Sequence, residues 1–257
     1  LASRREVPDL NYPHDFSEQS DLLSPEKELI AMLGSVVPDL QSNPPSWPMG
    51  HRFALSIRHD VDRPLTREDL DRHLNLEATL GCRSTWYFKS ETFDNDLARI
   101  ILHHGHEVAY HAELLSTGDD GFVDRLRRWL GHSPGMTFHG GMGSEGFRGK
   151  RSLKQCADLQ VAYAELPIGR ATRPVLWFGD NVRPLPVTAL PVKWDVFPDQ
   201  CREHAEWLID SQGHVIVENH PDRFEESYCR FLQWLTTQHP VCLTIEEAVR
   251  HFYPNRS

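Results

Sequence analysis

The 257-residue sequence has no CxxC pair, no run near the roughly 18 apolar residues of a membrane helix, no GxSxG elbow and no surplus of positive charge. Each absence removes a class of protein. Five widely spaced cysteines (Cys82, Cys156, Cys201, Cys229, Cys242) fit reduced, unpaired thiols better than a disulfide framework. Without a long apolar run, no membrane span is expected. The polar start, Leu1 to Glu6, lacks the apolar segment of a secretory signal, so the expected location is cytoplasmic. A formal net charge of -10 leaves few cations to neutralise phosphates, so no nucleic-acid partner is expected. With no serine elbow and no cysteine beside a histidine base in sequence, covalent serine or cysteine hydrolysis has little support.

Histidine, by contrast, is abundant: the chain has 15. Residues 1–50 are proline-rich and polar, with one helix-like stretch at Pro25–Leu33, and read as an N-terminal extension. From 51 to 257, short apolar runs alternate with amphipathic stretches, the pattern of βα units around a mostly parallel sheet. Strands are predicted at Phe53–Ile57, Ser84–Phe88, Glu107–Tyr110, Met136–Phe138, Val161–Ala164, Val215–Glu218 and Val241–Leu243. Seven such strands suggest a barrel. Helices are predicted between them, and the proline- and aromatic-rich stretch from 165 to 200 reads as an irregular excursion or hairpin.

Four predicted strand ends carry the chemistry. The first delivers Asp60 and Asp62 on alternate positions, so both can look toward one spot, where a cation would relieve their repulsion. The second ends on His111, with Glu113 two residues later; imidazole and carboxylate suit zinc, manganese, iron or nickel. The third ends on His139 before a Gly140-Gly141-Met142-Gly143 loop that lacks the lysine of a phosphate-binding loop. The fourth delivers His220, a candidate acid. At the C-terminal ends of barrel strands, where catalytic groups gather, this repeated pattern points to a metal-activated water as nucleophile.

The runs RHDVDRP, GHEVAYHAE, FHGG and NHPDRF, within residues 52–250, resemble the NodB-homology (carbohydrate esterase family 4) polysaccharide deacetylases, in particular a divergent branch with HDVD in place of FDDG. Some members of that branch belong to surface-polysaccharide gene sets, such as those for lipopolysaccharide O-antigen. The resemblance implies an α/β fold, a distorted (β/α)7-type barrel. It also implies a general base at Asp60, metal ligands at Asp62 and His111, and an acid at His220. The family's second ligand histidine falls on Leu115 here, so His139 or Glu113 takes that place, His139 being preferred because it ends a strand. Arg148 lies in the region of the family's arginine-bearing motif; with Glu113 and His59 it is a further candidate for metal or substrate contact.

The expected activity is metal-dependent removal of an N-acyl group, acetyl or formyl, from an amino sugar of a surface polysaccharide or its precursor. The expected cofactor is one divalent metal, zinc first, and the expected partner an amino-sugar or oligosaccharide substrate. Two other readings stay open: a catalytically silent sugar-binding or assembly protein on the same barrel, and a metal-dependent amidase acting on a non-sugar amide.

Overall fold

A computed structural model describes residues 46–113, 120–139, 149–165, 172–177, 184–188, 191–194 and 198–254. The helix expected at Pro25–Leu33, Leu115 and Arg148 lie outside these residues.

The described residues form nine strands and seven α-helices, alternating except at the three successive strands between 175 and 193. The strands are β1 (Ala54–Val61), β2 (Ser84–Phe88), β3 (Glu107–Ala112), β4 (Met136–Phe138), β5 (Val175–Trp177), β6 (Leu185–Val187), β7 (Val192–Lys193), β8 (His214–Asn219) and β9 (Val241–Cys242). The helices are α1 (Arg67–Leu80), α2 (Asn95–His103), α3 (Asp120–Leu130), α4 (Gly149–Asp158), α5 (Pro198–Asp210), α6 (Glu226–Thr236) and α7 (Ile245–Phe252). Parallel pairing runs β7-β8-β1-β2-β3-β4, and Ala164 bridges onward from Met136 to Val187 of β6. The result is a curled, distorted β/α barrel, as the resemblance implies. Between 165 and 200 the chain forms the antiparallel hairpin β5–β6.

The strand predicted at Val161–Ala164 shrinks to a single bridge at Ala164. Its amide bonds to the carbonyl of Pro186, a residue with no N–H to return, which limits any ladder on that side. Conversely, β1 runs four residues beyond its predicted end and is buried throughout, charges included.

Alternation along β1 sorts its side chains. Phe53, Leu55 and Ile57 face α1, α5 and α6 in one apolar cluster with Leu208, Tyr228 and Leu232. Arg58 and Asp60 face inward. The barrel interior is filled by Tyr87, Ala109, Tyr163 and Ile216, and α7 plugs it with Ile245 and Val249. A capping box of Thr244 and Glu247 starts that helix. Its next free amides are taken by interior side chains: Ile245 N donates to Thr85 Oγ1 and Glu246 N to Glu107 Oε2, both at 3.0 Å. The end of the barrel opposite the predicted site is therefore sealed.

Candidate active site and metal centre

Asp62 follows the last residue of β1, His111 lies in β3, and His139 follows β4. The three converge: one donor atom from each falls within 4.8 Å of the others. Asp62 Oδ1 lies 3.1 Å from His111 Nε2, and Asp62 Oδ2 lies 3.3 Å from His139 Nε2. Asp62 Oδ1 and His111 Nε2 are buried and face each other without an aligned hydrogen bond. Their spacing is close to the edge, roughly 3.4 Å, of a tetrahedron with ~2.1 Å metal–ligand bonds. One carboxylate and two imidazoles form a donor set suited to zinc and its neighbours, so the residues fit a divalent cation.

Supporting groups orient these donors. Glu113 Oε1 accepts from His139 Nδ1 at 2.9 Å, which leaves Nε2 turned to Asp62. Lys89, just past the end of β2, donates to Glu113 at 2.8 Å and lies 3.5 Å from Asp62 Oδ1. His220 Nε2 donates to Asp62 Oδ2 at 3.0 Å. The site opens outward: the His111 side chain is 1% exposed, that of His139 37% and that of Glu113 40%.

Behind the triad, Asp60 sits in a buried charge cluster whose other members, Arg58, Glu165, Glu218 and Lys193, are not among the predicted site residues. Arg58 Nε and Nη2 donate to the two oxygens of Asp60 at 2.7 and 2.5 Å. Its other amino group meets Glu165 Oε1 at 2.5 Å and Glu218 Oε2 at 3.0 Å, and Lys193 donates to Glu218 Oε1 at 2.8 Å. Burial alone would raise the Asp60 pKa; the Arg58 guanidinium overrides it and holds the carboxyl well below the usual carboxylate range. Glu165 goes the other way, pushed up to about 7 by burial that Arg58 offsets only in part. Asp60 Oδ2 remains 3.8 Å from His111 Nε2, so Asp60 lines the site from its buried side.

His59 does not join the cluster. It lies on the outer face of β1, where its Nε2 donates to Glu77 Oε1 at 2.6 Å, while Ser84 Oγ donates to Glu77 Oε2 at 2.7 Å. His73 Nε2 donates to the Pro221 carbonyl at 3.2 Å. His59, His73 and Glu77 are a second group of metal-type donors, wholly buried between β1 and α1, with one internal hydrogen bond, from His59 to Glu77. The Trp86 ring lies tilted against His59, and Trp194 stacks on Phe231, so both aromatics serve packing.

Two signals could have found the missed groups. Arg58 precedes Asp60 by two residues and so shares its face, and Lys89 follows a strand end as the candidate site residues do.

No family model and no curated protein matches the sequence. Among solved structures, one described as a polysaccharide deacetylase from Mycobacterium smegmatis superimposes with a TM-score of 0.63 at 17% identity, over 83% of this chain and 94% of its own. A polysaccharide deacetylase described as involved in O-antigen biosynthesis, from Bordetella bronchiseptica, gives 0.49 at 16% identity, over 75% and 82%. A carbohydrate esterase family 4 pseudoenzyme from Bacillus anthracis gives 0.47 at 13%, over 76% and 65%. The last two fall below the similarity at which a shared fold decides anything. The first superposition shows that the chain shares the fold of that structure, a distorted β/α barrel.

Proposed function

We propose that this chain is a metal-dependent hydrolase that removes an acetyl or formyl group from the nitrogen of an amino sugar in a surface polysaccharide or its precursor. The observation that carries the reading is the convergence of Asp62, His111 and His139 at one mouth of the barrel, with Asp60 directly behind. Asp62, His111 and His139 hold the cation, and Glu113 fixes the His139 ring instead of ligating. When bound, a divalent cation supplies Lewis-acid polarisation of the acyl carbonyl and acidifies the attacking water.

The chain's own groups do the rest. Asp60, anionic and held rigid by Arg58, takes the proton from that water. His220, oriented by Asp62, delivers a proton to the departing sugar amine. Sealing of the barrel behind Asp60 keeps bulk water to the open side.

A silent sugar-binding barrel is favoured by one feature, the Lys89 ammonium, which already offers a cation to Asp62 and Glu113. Acetate and formate release from a panel of N-acetyl and N-formyl amino sugars, measured with zinc, manganese, nickel or cobalt, separates the two readings. Release that Asp60→Asn abolishes supports the hydrolase. No release with any metal, with sugar binding intact, supports the silent barrel. Release from simple N-acyl compounds but not from sugars moves the substrate to the non-sugar amides.

A further inference from the structure

We propose that Cys82 and Cys242 form a reversible disulfide at the sealed end of the barrel. The two sulfurs lie 3.1 Å apart, closer than non-bonded heavy atoms ordinarily pack (about 3.5–4.0 Å) and about 1 Å beyond a bonded pair.

The strand pairing explains why residues 160 positions apart meet. β8 covers one edge of β1 from Ala54 to His59, so β2 and β9 must share the other edge. β9 takes its first half, with Cys242 opposite Leu55, and β2 takes its second half, starting with Ser84 opposite Ile57. The two short strands lie end to end along β1, and Cys82, two residues before β2, reaches the end of β9. Backbone pairing on both sides fixes the approach, so closing the bond needs side-chain rotation and little else.

The two thiols are chemically unequal. Cys82 is buried at 4% exposure, and its hydrogen bond to Cys242, with burial, pushes its thiol up. Cys242 is half-buried, and the same hydrogen bond, opposed by burial and aided by Arg83, pushes it down. Cys242, the less buried of the two, is the one an oxidant reaches and so the attacking group. Its thiolate attacks a low-molecular-weight disulfide, forming a mixed disulfide and releasing one small thiol. Cys82 then loses its proton and attacks the Cys242 sulfur, breaking the mixed bond and releasing the second small thiol. Two protein thiols are oxidised as one small disulfide is reduced, and both protons end on the released thiols.

Cys242 pairs with Leu55, five residues before Asp60 on β1, about 16 Å away at the rise of a strand. The bond would tie the start of β2 to the last strand and leave the open mouth untouched. It bears on stability and carries no consequence for the proposed catalytic groups.

The full-length chain, reduced and then equilibrated with glutathione disulfide, is alkylated after unfolding and analysed by peptide mass spectrometry. The expected result is two fewer alkylated cysteines, one linked peptide pair containing Cys82 and Cys242, and a thermal midpoint above that of the reduced chain. Cys82→Ser and Cys242→Ser each abolish the linked pair and the thermal shift. Five alkylated cysteines after equilibration, or a linkage involving Cys156, Cys201 or Cys229 instead, would overturn the proposal, and neither result depends on a variant folding.

Discussion

Arg58 and Asp60, two residues apart on the same strand, are joined by two hydrogen bonds that occupy both oxygens of the carboxylate. A lysine in place of Arg58 keeps the charge but cannot make the planar two-point contact. Arg58→Lys should bind metal normally and lose about 10²-fold in kcat/KM on the amino-sugar substrate, the scale expected when a reacting group loses its orientation. Wild-type turnover in a folded variant would remove Arg58 from the positioning of Asp60.

Metal retention distinguishes ligands from supports. His139→Ala and Asp62→Ala should each lose the metal, whereas Glu113→Gln should weaken binding by about 10–100-fold, as for a residue that only fixes a ligand's ring. Lys89→Met should bind metal more tightly, since it removes a competing cation from Asp62. Elemental analysis and titration calorimetry read all four. A Glu113→Gln protein devoid of metal, beside a metal-replete His139→Ala, would exchange the two roles.

Gly135 has no room for a side chain. A methyl group there would overlap the Tyr163 ring and its hydroxyl. That hydroxyl donates to Glu107 at 2.7 Å and meets the Tyr87 hydroxyl at 2.9 Å, so the ring cannot retreat without leaving buried polar groups unpaired. Gly135→Ala should cost about 2–4 kcal/mol in chemical denaturation. A loss within experimental error would mean that Tyr163 has another place to go.

Stability should peak near pH 6.5. Burial holds His59, His73 and His214 at about 3 and His204 at about 4, far below the ordinary imidazole value. As pH rises from about 3 to about 6.5, the unfolded chain holds protons that the folded chain lacks, so stability climbs. Burial raises Glu107 to about 8 and Glu165 to about 7, so from about 4.5 upward the folded chain holds protons the unfolded chain has lost. Four groups outweigh two until the histidines finish, and stability then falls toward pH 8. Denaturation at pH 4.5, 6.5 and 8.5 should show the maximum, and Glu107→Gln should flatten the alkaline side. A curve that still rises between 6.5 and 8.5 would contradict the assignment.

Much of the fold was legible because each strand is a short apolar run closed by polar residues. The ranges Ser84–Phe88 and Met136–Phe138 match their expected limits. β1 was underestimated because Arg58, His59 and Asp60 look like a loop in sequence; only three-dimensional partners, Glu165, Glu218 and Glu77, make their burial tolerable. The convergence of Asp62, His111 and His139 was readable from strand ends, whose order in the sheet brings them together. Opposite orientations of the neighbours His59 and Asp60 follow from strand alternation, but the assignment of His59 to the outer face needed the helix that covers it.

β1 is synthesised first among the barrel strands, yet it pairs with β8 and β9, whose residues follow it by some 160 to 190 positions. While the chain emerges from the ribosome, one edge of β1 stays open and its buried charges lack Glu165 and Glu218. Closure is therefore a late, long-range event. Folding should be slow for a domain of this length, and the half-made barrel should be its most aggregation-prone and most chaperone-dependent state.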